Sequence, residues 1–202
     1  MEILEHPKKL DYFWKVLLLG APNVGKKAFL KRLNYNNYNQ FMEDEKKYVL
    51  STLSIGPAEI YIKYLNKIFK LKIFGAFGGE RYKTISYSYL KLSTIYLIFY
   101  DAFKRETFNT LKDYSDGILS FDEKRIIIIV RSKYELNSES LENNKDKVSD
   151  EEVLEFINSK NINNNIFFFH LSNYEKYESG INNLLEFIII KSLEKNLKYD
   201  NK

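Results

Sequence analysis

A chain of 202 residues, 45% hydrophobic and 16% aromatic, has enough apolar material for one packed domain and too little length for two large ones. Its 31 Lys and Arg against 27 Asp and Glu leave a formal net charge of +4 that no stretch concentrates, which argues against a nucleic-acid partner. The absence of cysteine excludes disulfides, thiolate metal sites and cysteine-linked lipids, and Glu2 excludes N-myristoylation.

Apolar stretches of strand length alternate with stretches of helical period, the mark of an α/β fold with a mostly parallel sheet and helices on both faces. WKVLLL (14–19) predicts a buried strand ended by Gly20, with a helix following over Lys26 to Leu33. AEIYIKY and KIFKLKIF, joined by Leu65 and Asn66, predict a hairpin that supplies the one antiparallel edge strand. STIYLIFYD (93–101), RIIIIVR (125–131) and NIFFFHL (165–171) complete a sheet of six strands. Helices are expected near 80–91, 105–120 and 149–160, with a last one from Ile181 to Asn196. Ser149 followed by Glu152 is a capping-box pattern, in which each residue satisfies an orphan amide of the other. The charged, Asn- and Ser-rich segment 137–147 has no apolar face and reads as a solvated loop. The expected domain runs over 11–197, after an N-terminal extension at 1–10 and before a short tail at 198–202.

The motif that carries chemistry is GAPNVGK (20–26), a G-x-x-x-x-G-K sequence between a strand and a helix. Glycines there let backbone N–H groups wrap a phosphate, the helix dipole favours the anion, and Lys26 adds a point charge. The bland alternative is a tight strand-to-helix turn. Lys27 stands where that loop normally carries a Ser or Thr hydroxyl for magnesium.

DYFWKVLLLGAPNVGKKAFLKRL resembles the opening of Rab-type small GTPases of the Ras superfamily. FKLKIFGAFGGERYKTISYSYLKLSTIYLIFYDAFKRETFNTLKDY resembles their stretch from the third strand through the third helix, and ERYKTISYSY follows the Rab form of switch II. The resemblance covers about residues 11 to 195 and implies a P-loop G domain. It assigns Gly20, Asn23, Val24, Gly25, Lys26 and Lys27 to the phosphate loop, and aligns Thr52 with the switch I threonine. Phe74, Gly78 and Glu80 keep the frame of W-D-T-A-G-Q-E, but Gly75 replaces its aspartate and Gly79 its glutamine. N-K-x-D becomes Ser132, Lys133, Tyr134 and Glu135, and only Ser172 survives from S-A-K.

These departures imply impaired hydrolysis. Phosphoryl transfer depends on metal, water positioning and a charge clamp, and loss of a clamp alone costs about 10³ to 10⁵ in rate. No catalytic residue and no metal ligand is therefore assigned. The expected cofactor is GTP or GDP, held weakly or without magnesium. Lys27 places its ammonium near the metal's position, or blocks that position, or points to solvent; the sequence leaves all three open. His6 and His170 show no partner pattern and read as packing or loop residues.

The resemblance implies a Rab-like pseudo-GTPase, a monomeric binding module in vesicle trafficking that meets protein partners through its switch-like face. The competing reading is a working GTP/GDP switch with slow or partner-assisted hydrolysis. No apolar run approaches the roughly 18 residues of a membrane span, and MEILEHPKKLD has no signal-peptide core. The expected location is cytoplasmic, with no direct lipid anchor and membrane association only through a partner.

Overall fold

The computed structural model describes residues 1–33, 57–75, 90–91, 93–121, 125–132, 145–160, 165–171 and 178–195. Its strands are β1 (Glu2–Leu4), β2 (Tyr12–Leu19), β3 (Ala58–Tyr64), β4 (Lys67–Gly75), β5 (Ile95–Asp101), β6 (Ile126–Ser132) and β7 (Ile166–His170). They form one sheet in the order β1-β3-β4-β2-β5-β6-β7. The helices among the described residues are α1 (Lys26–Leu33), α2 (Arg105–Asn109), α3 (Leu111–Leu119), α4 (Asp150–Lys160) and α5 (Glu178–Glu194).

Strands β4, β2, β5, β6 and β7 are mutually parallel, and β3 runs against β4. Every residue of β5 and β6 is buried, as a parallel strand covered on both faces requires. The hairpin turns through Leu65 (φ 46°) and Asn66 (φ 59°), both left-handed, which is the two-residue turn whose twist matches its strands.

Among the described residues the sheet has seven strands, not six. Glu2–Leu4 adds antiparallel to β3, so the hairpin strand is flanked on both sides and β1 takes the edge. A strand of three residues carries too short an alternation to stand out from sequence, and its pairing is set by β3.

Alternation along β2 sends side chains to two cores. Trp14, Val16 and Leu18 pack with Phe29 and Leu30 of α1 and Leu184, Leu185 and Ile188 of α5. Leu17 and Leu19 face the other way, with Tyr96 and Ile98 of β5, Leu111 and Ile118 of α3, and Ile157 of α4. Tyr12 and Phe69 stack at 4.9 Å, and Trp14 packs beside the pair, 5.4 Å from each by ring centroid.

The helix expected over 105–120 is two helices that meet at Thr110, whose hydroxyl donates back to the Thr107 carbonyl at 2.8 Å. The helix expected near 80–91 lies outside the described residues except for Leu90 and Lys91, which are helical, and most of the 137–147 segment lies outside them too. The capping box forms: Ser149 N–H donates to Glu152 Oε2 at 2.9 Å, and Glu152 N–H donates to Ser149 Oγ at 3.3 Å. Ser149→Ala is expected to cost about 1 kcal/mol in urea unfolding.

Candidate phosphate-binding site

The phosphate loop is built where β2 gives way to α1. Gly20 takes φ 125°, Asn23 φ 62° and Gly25 φ 95°, so three of its residues have left-handed backbone. At Gly20 space also decides: a Cβ there would lie 2.1 Å from the Phe99 carbonyl oxygen of the neighbouring β5. Val24, 1% exposed, anchors the middle of the loop in the core, while Pro22 and Asn23 face outward.

Lys26 opens α1, and its ammonium donates to the carbonyl oxygens of Gly20 and Ala21, each at 2.5 Å. The side chain thus ties the first residue of the helix back across the loop. Burial pushes its pKa down to about 8, and the half-buried Lys27 adds a smaller push in the same direction. Because the folded pKa lies below the ordinary 10.5, the native state holds fewer protons between pH 8 and 10.5. Lys26 should therefore make stability rise with pH across that window, by roughly 3 kcal/mol at most. Subtracting urea titrations of Lys26→Met from those of the unmodified chain isolates this rise; a flat difference would refute it.

A phosphate fits this loop. The ammonium of Lys26, backbone amides of Asn23 to Lys27 and the α1 N-terminus would hold the phosphates of a nucleotide. Pro22 contributes no N–H. Magnesium does not fit equally well. Gly75, the last residue of β4, pairs with Leu18 and so lies beside the loop, but it has no side chain, and Lys27 presents an ammonium. Neither offers the oxygen a hard cation requires.

The carboxyl ends of the parallel strands share one edge of the sheet, the usual place for ligands in such folds. Ser132 ends β6 there, 1% exposed, and its hydroxyl donates to the Tyr100 carbonyl at 2.8 Å. Its proton is committed to the neighbouring strand. Thr52, Gly78, Gly79, Lys133, Glu135 and Ser172 lie outside the described residues.

The same edge carries a charge network that the sequence reading did not find. Arg131, 4% exposed, donates to Asp150 Oδ1, and Asp150 Oδ2 lies 3.4 Å from His170 Nε2. His170 packs against Phe168, as expected of a packing residue, and has a carboxylate neighbour in addition. Burial lowers its pKa, opposed by Asp150 and reinforced by Arg131. Arg105 grips Glu152 with two hydrogen bonds, of 2.6 and 3.1 Å, and also donates to the Lys147 carbonyl at 2.8 Å. The one visible signal was a charged residue, Arg131, directly after the apolar run IIIIV.

The chain is 28% identical over 133 residues to Ras-related protein Rab-3A of Homo sapiens, covering 65% of this chain and 57% of that protein. It is 29% identical over 133 residues to GTP-binding protein Rab-3D of Rattus norvegicus, covering 65% and 58%. Ras-related protein RABA3 of Arabidopsis thaliana is 28% identical over 132 residues, covering 65% and 53%. The matches thus span little more than half the length of these relatives. The Ras family profile matches residues 15–192, from β2 into α5, a span that contains the phosphate loop and all the parallel strands: the chain belongs to the Ras family.

Proposed function

We propose that this chain is a Rab-like pseudo-GTPase, a binding module in intracellular vesicle trafficking with impaired magnesium-dependent GTP hydrolysis. The observation that carries the reading is a phosphate loop with Lys26 in place, flanked by Lys27 and Gly75 where oxygen ligands for a metal would be needed. Such a loop supports phosphate binding more than phosphoryl transfer. The trafficking role rests on similarity to the Rab-type relatives, and so does contact with protein partners through the switch-like face.

Guanine selectivity should be shallow on this reading. Ser132 spends its proton on Tyr100, and Glu135 replaces an aspartate with a longer arm. A site built on paired hydrogen bonds discriminates by about 10⁴ to 10⁵, and much of that should be missing.

The test is chromatography of the supernatant from freshly purified, denatured protein, followed by titration with GDP and ADP. We expect substoichiometric nucleotide and a small preference for GDP. A full equivalent of guanine nucleotide with steep GDP preference would replace this reading with a working GTP/GDP switch.

A further inference from the structure

The sheet register sets three polar residues in one row. Tyr100 of β5 pairs with Arg131 of β6, and Arg131 pairs with His170 of β7, so all three side chains leave the same face, the one covered by α3 and α4. Asp150, the first residue of α4, closes over two of them: its Oδ1 accepts from Arg131, and its Oδ2 lies 3.4 Å from His170 Nε2. One carboxylate therefore joins the ends of two strands.

The charges around His170 do not balance once it is protonated. Arg131 is always charged, and with its side chain only 5% exposed it already draws on Asp150. The other carboxylates at the start of α4 are engaged elsewhere, Glu152 with Arg105, and Glu151 with its own backbone N–H and the Ser149 hydroxyl. Tyr100 adds no charge, because burial pushes its pKa up. A second cation at His170 would thus share one carboxylate with a guanidinium. Desolvation first, and Arg131 with it, hold the His170 pKa below the ordinary 6.5 against the pull of Asp150. The native state then binds fewer protons than the unfolded chain, so stability present above pH 6.5 is lost as pH falls toward the folded pKa. The His170 side chain is 42% exposed, so protons reach it from solvent.

We propose that Asp150, Arg131 and His170 form an acid-released clamp, which holds the ends of β6 and β7 together while His170 is neutral and lets them part when it is protonated. The two ends are coupled through backbone as well. The Leu171 N–H, next to His170, donates to the Arg131 carbonyl at 2.9 Å, and Ser132 follows Arg131 directly. In sequence both strands lead on to the nucleotide-motif residues Lys133, Glu135 and Ser172, so acid should also weaken a bound nucleotide. That consequence rests on the nucleotide-binding reading above; the clamp itself does not.

The experiment is an NMR titration of the full chain from about pH 7.5 to about 5.5, the range in which histidine changes charge. His170→Gln, neutral throughout, and Arg131→Leu, which leaves Asp150 to the histidine alone, are titrated beside it. The His170 ring signal, identified by its loss in His170→Gln, should titrate below 6.5, and the Ser132 and Leu171 amide signals should move with the same midpoint. In His170→Gln that movement should vanish. In Arg131→Leu the His170 midpoint should rise, a change that a merely structural role would not produce. Should Arg131→Leu fail to fold, urea titrations decide, since only the unmodified chain should lose stability relative to His170→Gln as pH falls. Affinity for GDP should drop about fivefold over this range in the unmodified chain, beyond any change in His170→Gln. A His170 midpoint at or above 6.5, Ser132 and Leu171 signals indifferent to it, or an equal drop in GDP affinity in both chains overturns the proposal. If GDP binds at neither pH, the nucleotide reading falls, and the NMR midpoints still decide the clamp.

Discussion

Replacing Gly20 by alanine is expected to destabilise the fold by about 3 to 5 kcal/mol, combining backbone strain with overpacking. Both have a visible source. A φ of 125° is a conformation that L side chains rarely adopt, and the new methyl would fall 2.1 Å from the Phe99 carbonyl oxygen. The obstacle is strand backbone, met one residue past the last β2–β5 pair, Leu19 with Ile98, so no rotamer change relieves it: the start of the loop and β5 would have to part. Gly117 is the internal control. It lies inside α3 with nothing within 4 Å of an added Cβ, and Gly117→Ala should stabilise by about 0.5 to 1 kcal/mol. Urea titrations of the two variants should move in opposite directions. A Gly20→Ala midpoint equal to that of the unmodified chain would mean that the phosphate loop does not depend on this approach.

GTP turnover should stay at background with or without magnesium, about 10³-fold or more below an ordinary Rab domain. On the proposed reading, Lys27, Gly75 and Gly79 stand where Rab-type GTPases carry two oxygen ligands and the side chain that orients water. Such losses act on one unit and do not add, yet each alone is serious. The informative variant therefore returns all three groups, as Lys27→Ser, Gly75→Asp and Gly79→Gln. Magnesium-dependent phosphate release that rises in this triple variant and is absent from the unmodified chain is the expected result. Ordinary turnover by the unmodified chain would end the pseudo-GTPase reading.

Much of this was legible because the informative signals are local. The buried runs of β5 and β6, the alternation and turn of the β3–β4 hairpin, and the Ser149–Glu152 cap each lie within a few neighbouring residues. The loop from Gly20 to Lys26 was legible for the same reason. What escaped depends on register between distant segments. Strand β1 exists because β3 lies beside it, and the Ser132 hydroxyl is occupied because Asp101 pairs with Ser132, bringing the Tyr100 carbonyl within reach. Arg131, Asp150 and His170 come from β6, α4 and β7, and only their assembly makes a charge network.

The position of Trp14 has a practical consequence. It is the single tryptophan of the chain, fully buried, and its indole N–H finds no hydrogen-bond partner among the described residues. An indole in dry surroundings emits at shorter wavelength than one in water, so the chain carries its own optical gauge of folding. Because Trp14 sits near the start of β2, and the phosphate loop follows the end of that strand, the gauge reports loss of the core while remaining remote from events at the loop.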